Sequence, residues 1–344
     1  MSQAALKERA ASNGHEPLLS VSGLSLSVGE SAGAFEPVTG ASLSVGKGEL
    51  LGVVGESGSG KSLTLRAIAG LLPTGVHYRA GEVRAAGIDV REAKGEELRR
   101  LHGEAVGMIF QEPMSALNPT MRIGPQIAES ARAHKDLSKK QSKQRAIELL
   151  GRMGFTEAER CYRLFPHELS GGMRQRVVIA IALAGEPQAL LCDEPTTALD
   201  ATVTMRVLEL LVGLAREMEI AIVFVTHDLG VAARICDRIV VMYGGRVVEE
   251  GPAADVLRRP RHAYTLALLR AVPTRDTTIA DLRAIPGNPP GPEAQTPGCP
   301  FEPRCELAVE RCKAPVSLTE VVPGRKSACV REELLAKMAE AADG

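Results

Sequence analysis

The sequence predicts an α/β fold: a mostly parallel core sheet with helices on both faces, antiparallel strands before it and a small irregular extension after it. Three observations carry this expectation. Short apolar runs of strand length alternate with longer segments of helical periodicity, the order that lays parallel strands beneath helices. The tract Pro286-Gly287-Asn288-Pro289-Pro290-Gly291-Pro292 can form neither a regular helix nor a central strand, so the chain changes character late. A length of 344 residues suits one large domain plus something smaller.

Taken in order, residues 1–16 form a polar tail without the apolar stretch of a secretion signal. Residues 18–45 place apolar side chains at alternate positions (Leu24, Leu26, Val28; Leu43, Val45), which predicts antiparallel strands around a Gly-rich turn. Residues 50–54 form a buried strand, and a helix from Lys61 to Leu72 stops at Pro73. Residues 106–110 are another short strand, and residues 127–153 are polar and helix-forming. Buried strands are expected at 189–192 and 220–225, with a helix at 201–217 between them. Residues 238–243, Gly244-Gly245 and 246–249 predict a hairpin.

Composition excludes some classes of function. A hydrophobic content of 44% with 24% charged residues is that of an ordinary globular chain. The formal net charge of −1 supplies no global field to attract nucleic acid or anionic lipid, so no nucleic-acid partner is expected. The longest purely apolar run, residues 177–184, falls far short of the roughly 18 residues of a spanning helix. Seven cysteines, an odd number without a secretion signal, point to a reducing compartment rather than a disulfide framework.

Gly55-Glu56-Ser57-Gly58-Ser59-Gly60-Lys61-Ser62 has the spacing of a phosphate-binding loop, with a strand before it and a helix after it. The glycines let backbone N–H groups turn onto phosphate oxygens, and the helix N-terminus adds partial positive charge. Lys61 is placed to reach the β- and γ-phosphates, and the Ser62 hydroxyl to ligate Mg2+. This motif alone predicts binding of a nucleoside triphosphate.

Leu169-Ser170-Gly171-Gly172-Met173-Arg174-Gln175-Arg176 resembles the signature segment of ABC ATPases. The rest of that family's set stands in the expected order. Gln111 after Phe110 matches the Q-loop, Asp193 and Glu194 at the end of a strand the Walker B pair, Ala198-Leu199-Asp200 the D-loop, and His227 the switch histidine. The resemblance implies an ABC ATPase fold with an antiparallel N-terminal β-subdomain and a helical signature subdomain. It implies a flexible tail at 1–16, a nucleotide-binding domain at 17–260 with its helical part at about 112–185, and an extension at 261–344. It implies ATP and Mg2+ as ligands, the metal held through Ser62, Gln111 and Asp193. Glu194 would act as general base, and His227 and Gln111 would order the attacking water. Ser170, Gly171, Gly172 and Gln175 would cap the nucleotide of a second subunit, with Asp200 beside it. The adenine-stacking aromatic expected near Val28 is missing. Phe35 is the nearest candidate, and packing under the loop is its alternative.

The segment Gln111-Glu112-Pro113-Met114-Ser115-Ala116-Leu117-Asn118-Pro119, the run Phe165-Pro166-His167-Glu168, and the tail with Cys299-Pro300-Phe301 and Pro303-Arg304-Cys305 resemble bacterial oligopeptide/dipeptide importer ATPases. That resemblance implies an ATPase that powers uptake of peptides, or of nickel, glycosides or opines. It implies two transmembrane permease subunits, a second and homologous ATPase, an extracytoplasmic substrate-binding protein, and a peripheral position on the cytoplasmic face of the cell membrane. The rival from another class is a soluble, non-transport ABC ATPase acting on ribosomes or nucleic acid; near-neutral charge and the lack of long heptad repeats oppose it.

Cys299, Cys305, Cys312 and Cys329 provide four soft ligands in a Pro-rich segment. Their spacing lacks the close pairs of a zinc ribbon, and wide spacing suits an iron–sulfur cluster, a 4Fe–4S centre in the family resembled. Zinc and unmetallated thiols stay as alternatives, as do structural and redox-sensing roles. Cys161, Cys192 and Cys236 read as packing residues. His15, His77, His102, His134 and His262 read as surface residues.

Overall fold

A computed structural model describes residues 16–29, 35–111, 116–195, 200–272, 284–291 and 296–343. In chain order its elements are β1 (Leu19–Val28), β2 (Phe35–Val45), β3 (Leu50–Val54), α1 (Lys61–Ile68), β4 (Val76–Ala85), β5 (Ile88–Asp89), α2 (Glu96–Leu101) and β6 (Val106–Ile109). The helices α3 (Ile123–His134), α4 (Lys139–Arg152), α5 (Ala158–Cys161) and α6 (Gly171–Leu183) follow. Then come β7 (Ala189–Asp193), α7 (Ala201–Glu217), β8 (Ala221–Thr226), α8 (Leu229–Ile235), β9 (Arg238–Tyr243), β10 (Arg246–Pro252), α9 (Ala253–Arg258) and α10 (Ala263–Ala271). Strands β11 (Thr319–Val322) and β12 (Arg325–Ser327) precede the last helix, α11 (Glu332–Asp343).

The strands form two sheets. One is antiparallel, in the order β2-β1-β4-β5; the other has eight strands in the order β11-β12-β10-β9-β3-β8-β7-β6. Strands β9, β3, β8, β7 and β6 run parallel to one another. Every residue of β3, β7 and β8 is buried, which is why they read as unbroken apolar runs. Alternation along these strands divides the core. Leu50, Val54, Leu190, Cys192, Ile222 and Phe224 face the helical layer that includes α6 and α7. Leu51, Val53, Leu191, Val223 and Val225 face α1 and the antiparallel sheet.

Three boundaries differ from the sequence expectation, each for a local reason. Helix α1 ends at Ile68 rather than Leu72 because Gly70, at φ +67°, closes it: Leu71 N–H reaches back to Arg66 O and Gly70 N–H to Ala67 O. The helical stretch at 127–153 is two helices. Ser138 starts the second with a reciprocal cap, its hydroxyl accepting from Gln141 N–H while Gln141 Oε1 accepts from Ser138 N–H. The C-terminal extension is less irregular than expected: β11 and β12 form a hairpin, and β12 joins the core sheet along β10 through Glu249↔Ser327 and Glu250↔Lys326.

Candidate nucleotide site

The sheet order brings the chemistry together. Strands β3, β8, β7 and β6 are neighbours and parallel, so their carboxyl ends lie along one rim of the sheet. The loop at 55–60 leaves β3, His227 follows β8, Asp193 ends β7 with Glu194 next, and Gln111 lies two residues beyond β6. Register fixes their level, with Val54 opposite Thr226, Val225 opposite Asp193, and Cys192 opposite Ile109. Ligands of open α/β sheets bind outside such strand ends.

In the loop, Gly55 is required by close approach. A Cβ there would lie 2.2 Å from the carbonyl oxygen of Met242 in β9. Gly60 caps α1 in left-handed backbone without a side-chain acceptor, which leaves the first N–H groups of the helix to a ligand. Lys61 is buried, and its ammonium donates to Gly55 O at 2.8 Å and Glu56 O at 2.7 Å. Burial lowers its pKa, and the charges of Glu194, Asp193 and Glu56 oppose that shift.

Ser62 Oγ donates to Asp193 Oδ1 at 2.7 Å, so the two oxygens expected to share Mg2+ already face each other. Burial raises the Asp193 pKa, while the Ser62 hydrogen bond and Arg66 counter it. Glu194 adopts φ +45°, a costly backbone for a non-glycine residue. Its N–H donates to Val225 O, and its Oε2 lies 3.0 Å from His227 Nδ1. The strain and the contact turn the carboxylate toward the histidine.

Other sequence candidates are placed as follows. Ser170 caps α6, its hydroxyl accepting from Met173 N–H at 3.4 Å, and Ser170 and Gly171 are exposed. Gln175 is different: its side chain is fully buried with neither amide atom hydrogen-bonded, so this chain does not present it at the surface with Ser170. Asp200 is exposed and caps α7 by accepting Val203 N–H at 2.9 Å. Ala198 and Leu199, and Glu112 to Ser115 of the Q-loop segment, lie outside the described residues. Gln111 is exposed beside an exposed Phe110. Phe35 is half-buried and pairs with Val28; a cavity of about 210 Å3 beside the phosphate loop is lined by Glu36, Pro37 and Ser57 but not by Phe35.

The cysteines and histidines bring one correction. Cys192 and Cys236 are buried in the core, as packing residues are. His262, expected at the surface, is 1% exposed because it opens α10 beneath the cysteine segment. Its Nδ1 accepts Tyr264 N–H at 3.1 Å, so Nε2 carries the proton and points at Cys299 Sγ, 3.9 Å away. Burial holds this imidazole neutral, with its pKa lowered to about 3. Cys299, Cys305, Cys312 and Cys329 come near enough for their charges to act on one another. Burial first, then that mutual repulsion, raises the Cys299 thiol to about 11. Among the described residues no three His, Cys, Asp or Glu side chains converge as a single metal ion requires.

Sequence reasoning missed a set of contacts around Glu56. Its N–H donates to Tyr264 Oη at 2.8 Å, and its carboxylate takes two bonds from Arg304. Tyr264 carried no local signal. Arg304 stood inside a motif, but nothing in the sequence tied it to a loop 248 positions earlier.

Comparison with known proteins bears on the family and the fold. The family model described as ABC transporter matches residues 38–197, and that described as oligopeptide/dipeptide transporter, C-terminal region, matches 248–312. The chain is 44% identical to the oligopeptide transport ATP-binding protein OppD of Salmonella typhimurium over 320 residues, 92% of this chain and 95% of that one. It is 44% identical to the probable D,D-dipeptide transport ATP-binding protein DdpD of Escherichia coli, covering 88% of this chain and 93% of that one. Among solved structures, the ATP-binding cassette MJ0796, dimeric and bound to ADP and Pi, superposes with a TM-score of 0.60 at 29% identity, covering 68% of this chain and 98% of that one. The cbiO1 protein of Clostridium perfringens, part of the cbiONQ transporter complex, gives 0.61 at 26% identity, covering 70% and 91%.

Proposed function

The chain belongs to the ATP-binding subunits of ABC transporters, in the oligopeptide/dipeptide class, and on that footing we propose how its residues hydrolyse ATP to energise uptake of short peptides. The observation that carries the proposal is the alignment of residues 55–62, His227, Asp193–Glu194 and Gln111 on one rim of the sheet. ATP phosphates lie on the N–H groups of the loop and the α1 N-terminus, and Lys61 leaves the Gly55 and Glu56 carbonyls to meet them. Ser62, Asp193 and Gln111 hold Mg2+, which when bound neutralises charge on the β- and γ-phosphates. Glu194, steered by His227, takes the proton of the attacking water.

The reaction needs a second ATPase subunit. Ser170, Gly171 and Gly172 open α6 on an exposed surface and cap the γ-phosphate held by the facing chain. Moving an open–closed equilibrium from 1:99 to 99:1 takes about 5.5 kcal/mol, which two sandwiched nucleotides supply together. Hydrolysis removes the bridging phosphate and lets the faces part. No helix among the described residues is long and apolar enough to cross a membrane. Two permease subunits therefore provide the path, an extracytoplasmic binding protein delivers the peptide, and this chain docks on the cytoplasmic face of the membrane. The domain at 17–260 turns over ATP, and the extension at 261–344 holds a 4Fe–4S cluster on Cys299, Cys305, Cys312 and Cys329.

Reconstitution with permeases and binding protein tests the coupling: ATP turnover should rise with peptide-loaded receptor, and turnover indifferent to permeases and receptor would contradict it. For the cluster, the purified chain should be brown, with iron and acid-labile sulfide that Cys305→Ser removes. Stoichiometric zinc without iron would refute that assignment.

A further inference from the structure

Glu56 is held from outside its own loop at both ends. Two guanidinium nitrogens of Arg304 donate to its two carboxylate oxygens, at 2.7 Å and 3.1 Å, a forked pairing that fixes direction as well as charge. The fork is itself braced. Arg304 Nε donates to Pro286 O at 2.7 Å, Nη1 also donates to Tyr243 Oη at 3.0 Å, and the guanidinium lies 5.8 Å from the Tyr243 ring centre. The Arg304 side chain is 6% exposed and that of Glu56 24%, so water replaces neither partner easily. Beneath them Tyr243, Tyr264 and Phe301 form an aromatic cluster, with Tyr264 holding the Glu56 N–H.

What Glu56 does with its remaining group matters for nucleotide. Its carbonyl, with that of Gly55, holds the Lys61 ammonium. Phosphate binding by backbone N–H groups and a lysine does not itself require a carboxylate in the loop. An unpaired one would repel the incoming polyphosphate. We propose that Arg304 is a positioning residue for the phosphate loop: it neutralises Glu56 and fixes the 55–56 peptide from which Lys61 is handed to ATP, so the C-terminal extension sets ATP affinity. Arg304 directly precedes Cys305, and the loop's geometry is thereby linked to the fold of the cysteine segment. The proposal rests on residues 55–62 being the ATP site.

The test is MgATP affinity of the full chain, read by displacement of a fluorescent ATP analogue, beside steady-state turnover. Arg304→Met should bind ATP roughly tenfold more weakly, equivalent to about 1.4 kcal/mol. Its KM should rise while kcat at saturating ATP changes less than about twofold. Removing the stranded charge in the same chain should help: Glu56→Gln with Arg304→Met should recover most of the affinity. Arg304→Lys, which keeps charge without the fork, should fall between wild type and Arg304→Met. Wild-type affinity in a folded Arg304→Met, or additive losses in the double variant, would overturn the proposal. If Arg304→Met does not fold, wild-type affinity in Arg304→Lys overturns it instead. Lys61→Ala separates the two levels. Loss of binding there with none in Arg304→Met removes only the clamp, whereas retained binding in Lys61→Ala removes the ATP site itself.

Discussion

Glu194 combines a left-handed backbone with a carboxylate 3.0 Å from an imidazole. Such backbone costs on the order of 1–3 kcal/mol and persists where the surroundings over-determine it. Here the Glu194 N–H bond to Val225 O and the His227 contact do so. Glu194→Gln should therefore keep ATP affinity and lose turnover by about 100-fold or more, measured as phosphate release at saturating ATP. Lys61→Ala, by contrast, should lose nucleotide affinity, seen by equilibrium binding. At this scale much was legible in the sequence. Residues 55–62 announce themselves because phosphate binding fixes their types and spacing, whereas Asp193, Glu194 and His227 were picked out by the family resemblance. His262 and Tyr264 did not, because their meaning arises only when α10 lies against the loop and the cysteines. Gln175 shows the reverse limit, a motif residue that the fold turns inward.

Elements were legible where one local rule governs them and obscure where two compete. Helix α7 and strand β3 coincide with their expected bounds because apolar periodicity alone sets them. The apolar pattern of helix α1 runs on to Leu72, yet Gly70 closes the helix before that pattern runs out. The division between α3 and α4 had a readable cap in Ser138 and Gln141 that the polar composition masked. Packing between elements leaves no such trace. Gly124 in α3 accommodates Tyr162, since a Cβ would stand 2.1 Å from its ring and 2.5 Å from its carbonyl oxygen. Gly124→Ala should destabilise the chain by about 1–3 kcal/mol, the usual penalty for overpacking. Urea denaturation should show that loss with no change in ATP affinity, because α3 contributes nothing to the phosphate site.

In the proposed mechanism the whole molecule carries half of two composite sites, a phosphate loop on one surface and the Ser170 helix start on another. ATP should therefore act as a ligand of association. Glu194→Gln with MgATP should sediment as a closed ATPase dimer, and dissociate when ADP replaces ATP; a species that stays monomeric with its proper partner present would contradict the shared site. The mostly parallel core sheet followed from the alternation of strand and helix signals, while the helical insertion came with the family resemblance. The attachment of the extension did not, because β12 is three residues long and its pairing with β10 is a matter of tertiary contact. That short pairing has a consequence for handling the protein. Strand β10 would otherwise offer an open row of backbone donors and acceptors to any extended segment in solution, and open rims of this kind recruit neighbouring molecules into aggregates. A chain cut at residue 260 should thus become sticky, and because the cut also takes Tyr264, Phe301 and Leu335 out of the core, its precipitation would report a lost cover together with a thinned core.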